Sequence, residues 1–306
     1  MLYHGHALGT DAELSVEPEG LRISRRFLDF AEIDSLQPLN HRVQIRTVPG
    51  ETIEISMLGF SYDGFWEELL NLYGERSLES LFVDEQPVML CEGEYSVPGE
   101  KGRGQIALYP DAVCVLPPTR RAVRIPLCYT SDICLEGYRL HIRMRSGIEY
   151  AVGKMGYDTK PFAERTVKAA DLVKKKRSSA RKQIPLQAPF SAKGLFRTEQ
   201  PEQYWNAAFG QGVCAVELYT GEDAATYLYR FRETPEDFLA QLEEAMEAMG
   251  VHREIIYLSD EQLAEKPLYR MAVDRAPAVR FLRERSDGRL IHSAGHDKRL
   301  EEYLRQ

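Results

Sequence analysis

Three groups of side chains in this 306-residue sequence have types and spacings that chemistry could use. The first is Gly102-Arg103-Gly104-Gln105-Ile106-Ala107, which fits the loose GxGxxA pattern of a dinucleotide-binding turn. That turn works only between a strand and a helix, where glycine lets a pyrophosphate approach main-chain N–H groups. Here strand-like Ile106–Tyr109 follows and meets Pro110, so the context is wrong. The second group is His292 and His296, just before Asp297, which could converge on a metal if all three shared a helix. Gly295 and the strand-like residues before it break that geometry, and no HExxH occurs. The third group is the cysteines. Cys91, Cys114, Cys128, Cys134 and Cys214 form no CxxC, and Cys128 and Cys134 have no nearby histidine to make a nucleophile pair. Cys114, Cys134 and Cys214 sit in apolar strand-like runs and read as core. A GxxxxGK[ST] phosphate loop and a GxSxG nucleophile turn are both missing. No catalytic residue, metal ligand or cofactor is therefore expected.

Cations are the remaining chemistry. Lys174-Lys175-Lys176-Arg177-Ser178-Ser179-Ala180-Arg181-Lys182 places six cations in nine residues, and no acidic residue occurs from Leu172 to Thr198. Basic side chains at a helix C-terminus oppose its dipole favourably, but six exceed that need. Two readings fit the run. It is a solvated interdomain linker continuing through Pro185, Pro189 and Gly194, or it is a surface for an acidic membrane, worth at most about 1 kcal/mol per cation. The run carries no aromatic ring on which a base could stack, which weighs against nucleic acid as a partner. Charge is also segregated along the chain. Residues 1–98 hold 6 Lys/Arg and 18 Asp/Glu, residues 99–194 hold 19 and 8, and residues 195–306 hold 14 and 21. The basic middle is either balanced by its acidic flanks or left to attract an anionic partner.

The elements that position these residues follow from pattern. With 43% hydrophobic and 28% charged residues, the chain can build packed cores, and its length suits two or three domains. No apolar run approaches the roughly 18 residues of a transmembrane segment. Met1–His6 lacks a basic-then-apolar leader and the cysteines are sparse, so a cytoplasmic location is expected. Shifted by 97 positions, the sequence matches itself without gaps from Asp34 to Phe65. Val43 falls on Leu140, Ile45 on Ile142, Gly50 on Gly147, Ile55 on Val152 and Phe65 on Phe162. Upstream the match loosens, with Glu17–Ile23 set against Leu108–Cys114 and Arg25-Arg26 against Arg120-Arg121. Each copy reads as strands and then a helix. Val43/Ile45 and Ile53/Ile55 alternate around the turn at Pro49-Gly50, as Leu140/Ile142 and Tyr150/Val152 do around Ser146-Gly147. The period then lengthens. Phe65, Leu69, Leu72 and Tyr73 make one helical stripe; Phe162, Thr166, Ala169, Ala170 and Val173 make the other. Asp63 is the expected N-cap of the first helix, and Asp158 or Thr159, with Pro161 behind it, that of the second.

Six or seven strands and one C-terminal amphipathic helix in about 95 residues resembles the pleckstrin-homology-like superfold, where the helix plugs one end of a bent barrel. The resemblance covers about residues 10–176 and includes Trp66 early in the first helix, although Ala163 stands at the matching place in the second. It implies an α+β protein with two tandem barrels, an acidic one over residues 1–85 and a basic one over 86–182. It also implies binding, with a partner protein laid on as an added strand or along the groove beside the helix. In lipid-binding members a loop between early strands carries cations, and here that loop would be Gly99-Glu100-Lys101-Gly102-Arg103-Gly104. Lys101 and Arg103, with Arg120 and Arg121, thereby become candidate ligands for a phosphorylated head group. Lys174, Lys175 and Lys176 would add to the same surface. Three glycines would let N–H groups turn onto an anion. Glu100 opposes one, and a plain polar hairpin loop is the alternative.

Residues 195–306 read as a separate α+β domain. Pro201–Phe209, with Tyr204, Trp205 and Phe209, suggests a short helix, and Val213–Tyr219 with Ala225–Phe231 a hairpin. Thr234-Pro235-Glu236-Asp237 is a capped helix start, with Phe238, Leu242, Met246 and Met249 on one stripe and Gly250 as the stop. Ile255–Leu258 suggests a strand, Val279–Arg285 with Arg289–Ser293 a second hairpin, and Asp297–Arg305 a closing helix. The function expected from all this is that of a non-enzymatic scaffold acting through protein–protein contacts. Anionic-lipid binding by the basic second domain is the alternative, and an enzyme site assembled between domains is the third reading.

Overall fold

Val43, Ile45, Ile53 and Ile55 are all buried while Gln44 and Glu54 between them are not, so the alternation in this stretch is that of strands covered on one face. A computed structural model describes residues 1–180, 195–197, 203–210, 212–220, 223–249 and 253–293. The chain opens with β1 (Leu2–Ala7), β2 (Thr10–Glu17), β3 (Gly20–Ile23), β4 (Arg26–Asp29), β5 (Ile33–Leu39), β6 (Arg42–Thr47) and β7 (Thr52–Ser56), followed by α1 (Tyr62–Ser80). These strands form one antiparallel sheet in the order β4-β3-β2-β1-β7-β6-β5. Next come β8 (Met89–Val97), β9 (Glu100–Leu108), β10 (Ala112–Leu116), β11 (Val123–Pro126), β12 (Thr130–Glu136), β13 (Arg139–Met144) and β14 (Glu149–Gly153), then α2 (Thr159–Ala180). Their order, β11-β10-β9-β8-β14-β13-β12, repeats the first.

The two sheets correspond element by element. From β4 onward the displacement is 97 residues, and even the irregularity in β5 between Ile33 and Ser35 recurs in β12 between Thr130 and Asp132. The displacement falls to 92 in β2 and β3, where Leu14 and Val16 correspond to Ile106 and Leu108, and to 88 in β1, where Ala7 corresponds to Tyr95. The upstream sequence match is therefore one residue out, and Arg26 corresponds to Val123, not to Arg121. Two additions in the second copy cause the shift. Its β8–β9 hairpin is longer at the turn, and six residues, Pro117–Ala122, join β10 to β11 where Ser24 and Arg25 suffice between β3 and β4. Gly5 and Gly93 mark a shared constraint. A Cβ on Gly5 would lie 2.8 Å from the Ser56 carbonyl oxygen, and one on Gly93 2.6 Å from that of Gly153, so the strands approach this closely only without a side chain.

Both helices bury the stripes read from the sequence. Phe65, Leu69 and Tyr73 of α1 enter the first core, and Phe162, Ala163 and Ala170 of α2 enter the second. Each large apolar side chain so buried contributes roughly 1.5–3 kcal/mol. Thr166, where the first copy has Leu69, is buried with its hydroxyl donating to the Phe162 carbonyl at 2.8 Å. Asp63 does not cap α1. Ser61 occupies that position without a side-chain bond, and Asp63 sits in the first turn, where its charge favours the helix dipole. Thr159 opens α2, accepting from the Met155 N–H at 3.0 Å.

The rest of the chain is β15 (Leu195–Arg197), β16 (Gln203–Gly210), β17 (Val213–Thr220), β18 (Asp223–Arg230), α3 (Pro235–Met249), α4 (Asp260–Ala264), α5 (Pro267–Arg275), α6 (Pro277–Arg285) and β19 (Ser286–Ser293). The five strands lie in sequence order. Three expectations are corrected. Gln203–Gly210 is a strand along β17, because its aromatics serve a sheet and not a helix. Ile255 and Ile256 lie in a short 3₁₀ turn. Val279–Arg285 belongs to α6, where Pro277 starts the helix and Val279 and Leu282, three apart, are both buried; Ser286–Ser293 then pairs with β18. The α3 cap holds, since Thr234 Oγ1 accepts from the Asp237 N–H at 3.2 Å. Gly250 and the expected closing helix at Asp297–Arg305 lie outside the described residues.

The third part packs on the second. Tyr109, Cys114 and Leu116 share a core with Phe238, Leu242 and Val279, so β10 is buried on both faces, which explains its unbroken apolar run. Among the described residues, no helix is long and apolar enough to cross a membrane.

Candidate functional site

The cations singled out in the sequence fall on three stretches: β9, the connection before β11, and α2. The β8–β9 turn is at Pro98-Gly99, so Lys101, Gly102, Arg103 and Gly104 are not a loop but part of β9, paired with Tyr95, Ser96 and their neighbours. The ladder with β8 takes up main-chain groups on one side of this stretch, and β10 pairs with β9 from Gln105 onward. The glycines have another reason to be there: a Cβ on Gly102 would lie 2.8 Å from the Tyr95 hydroxyl, and one on Gly104 2.8 Å from the Leu116 carbonyl oxygen. Lys101 and Arg103 are exposed two residues apart on β9, and Arg103 lines a groove with Trp66 and Glu92. Arg120 instead pairs with Asp274 at 2.7 Å, and Arg121 reaches Glu100 at 3.6 Å. Lys174 is half-buried and Lys175 exposed on α2, which also includes the main chain of Lys176. The side chain of Lys176 lies outside the described residues.

What the second copy's extra connection does is more informative. Pro118–Arg120 lies alongside β5, one of the two outer strands of the first sheet. The Leu36 N–H donates to the Pro118 carbonyl at 2.7 Å, and the Arg120 N–H donates to the Asp34 carbonyl at 2.9 Å. Outward main-chain groups of an edge strand are a template for another strand, and this one is occupied. Residues 34, 36 and 38 face outward, and the last is Pro38, which has no N–H to leave unpaired. The equivalent edge is β12. Its register against β13 repeats that of β5 against β6, so Ser131, Ile133 and Leu135 present their main-chain groups outward. Among the described residues, no main-chain group meets them. Leu135 stands where the first copy has Pro38, and its side chain is 39% exposed.

A second feature joins α1 to the third part. Arg275 is 3% exposed, and its Nη1 and Nη2 donate to the Ser77 hydroxyl and the Tyr73 hydroxyl, each at 2.8 Å. Its guanidinium also lies 4.9 Å from the centre of the Tyr73 ring. Burial pushes the Tyr73 hydroxyl up and the Arg275 guanidinium down, the expected result for polar groups removed from water. Sequence reasoning missed Arg275. The available signal was an arginine three and four residues after Ala272 and Met271, on the buried face of α5.

The surroundings of Cys91, Cys114, Cys134 and Cys214 do not activate their thiols. Burial pushes Cys114 up to about 12, and Cys91 and Cys214 are raised for the same reason. Cys134 is partly exposed on β12 and not a core residue; desolvation and then Asp132 and Glu136 raise it too. His292 lies on β19, while His296 and Asp297 fall outside the described residues. Among the described residues, no group of three or more His, Cys, Asp or Glu side chains could hold a metal ion. Set against known proteins, the chain matches no family model, and no curated protein matches it significantly.

Proposed function

We propose that this chain is a non-enzymatic binding protein of two tandem pleckstrin-homology-like modules, residues 1–85 and 86–182, and a C-terminal α+β domain over 195–306, whose second module takes an extended segment of a partner protein along β12. Seven antiparallel strands in the same order twice, each set followed by a helix that enters its core, support the modular reading. The strand-addition reading is carried by Pro118–Arg120, which occupies the equivalent edge of the first module. Main-chain bonds of that kind supply affinity, and exposed side chains such as Leu135 supply selectivity. Leu135→Pro copies the first module's Pro38 and removes one outward N–H. Peptides selected on the intact chain are expected to lose binding to this variant. Selected peptides that bind the variant unchanged, or failure to select any, would overturn the reading.

Anionic-lipid binding is the weaker reading. Exposed Lys101 and Arg103 favour it, while the engagement of Arg120 with Asp274 and of Arg121 with Glu100 opposes it.

A further inference from the structure

A cavity of about 140 Å³ lies where the second sheet, the end of α1, and helices α3 and α6 meet. Its size matches that of an apolar cavity able to hold one benzene ring, about 150 Å³. The walls are mostly apolar and include Leu81, Val123 and Ile148, with the rings of Phe82 and Phe281. Phe82 carries a positive φ of 57° at the C-terminal end of α1, where the Val83 N–H closes onto the Leu78 carbonyl at 3.1 Å. Glycine adopts that conformation at lower cost, so an aromatic wall stands at a position whose backbone does not favour one.

The polar lining is sparse and incomplete. Glu244 of α3 accepts one hydrogen bond, from the Ser146 hydroxyl at 3.2 Å, and forms no ion pair among the described residues. Tyr150 of β14 is 4% exposed, and its hydroxyl has no hydrogen-bond partner among the described residues. Arg124 of β11 is committed to Asp111 at 2.6 Å, leaving its Nε buried without a partner. Among the described residues, Glu244, Tyr150 and Arg124 are the charged and titratable groups that face the cavity. A carboxyl removed from water with no cation beside it is costly to ionise, and burial accordingly pushes Glu244 above the ordinary carboxylate range.

We propose that this cavity binds a small aromatic amine, its ring against Phe82 and Phe281 and its ammonium on the Glu244 carboxylate and the Tyr150 hydroxyl. The ammonium supplies the missing counter-charge, the tyrosine oxygen accepts a hydrogen bond, and the aromatic walls add cation–π attraction. Such binding goes beyond the strand-edge reading and does not depend on it. Because the ammonium pairs with ionised Glu244, affinity rises with pH as that carboxyl loses its proton and falls in acid as it regains one.

Calorimetry on the intact chain with benzylamine, benzyl alcohol and benzoate tests this. Benzylamine is expected to bind about tenfold or more tighter than the other two, a difference of 1.4 kcal/mol or more. Glu244→Gln should remove that preference while leaving the weak binding of benzyl alcohol, and Ala245→Phe, which fills the cavity, should remove all binding. Benzylamine binding equal to benzyl alcohol, or unchanged in Glu244→Gln, would overturn the proposal. A thermal melt of each variant separates lost binding from lost folding, and a cavity-filled variant that stays folded and still binds benzylamine would also overturn it.

Discussion

The two sheets share their strand order and register, yet their outer strands have opposite fates. On the first, Pro118–Arg120 covers β5 and Pro38 removes an N–H that would otherwise face outward. On the second, β12 keeps the outward groups of Ile133 and Leu135. One six-residue connection, grown in the second copy, covers the first copy's edge, and among the described residues no main-chain group covers the equivalent edge of the second. In a duplicated fold, one copy's edge can thus serve internal assembly while the equivalent edge of the other stays open to a different use. The helices diverge similarly. Tyr73 of α1 reaches the third part through Arg275, whereas α2 has Ala170 at the corresponding position.

Removing that tie should have the largest effect. Arg275→Ala leaves the Tyr73 and Ser77 hydroxyls without their donor and opens a void, at a cost of roughly 3 kcal/mol by urea unfolding. Arg275→Met, which fills the space without a charge, should cost less. Equal stability of the alanine variant and the native chain would mean that the first module is not coupled to the third part here. The equivalence of the two sheets is tested next. Gly5→Ala and Gly93→Ala should each cost about 1–3 kcal/mol, because each Cβ meets a carbonyl oxygen across the sheet. A large cost at one and none at the other would break the correspondence. The smallest effect is expected for Leu135→Pro. A proline already sits at the matching place in β5, so stability should change by within about 0.5 kcal/mol while strand addition is lost.

Much of this comparison was legible in the sequence. Alternation over Val43–Ile55 and the helical stripe from Phe65 to Tyr73 are direct consequences of one-sided burial, and both recur 97 residues on. The Thr234-Pro235 start of α3 was equally plain, because a cap is a local device. The extra connection was not. Its insertion shifts the register upstream, so Arg120-Arg121 looked like a copy of Arg25-Arg26 when it is new material. The role of that segment depends on β5, about 80 residues away, and no local pattern encodes such a contact. The glycines around Arg103 misled for a related reason: glycine signals close approach, and only the fold shows whether an anion or a neighbouring strand makes it. In the third part, Val279 and Phe281 alternate as a strand would, while burial follows Val279 and Leu282. Short amphipathic runs satisfy both periods, and packing decides between them.

The difference between the edges is most directly measured by amide hydrogen exchange at two equivalent residues, Leu36 and Ile133. Leu36, bonded to Pro118, should exchange orders of magnitude more slowly than Ile133, whose N–H faces outward. Equal protection of the two amides in the isolated chain would contradict it, since β12 would then already be as fully occupied as β5.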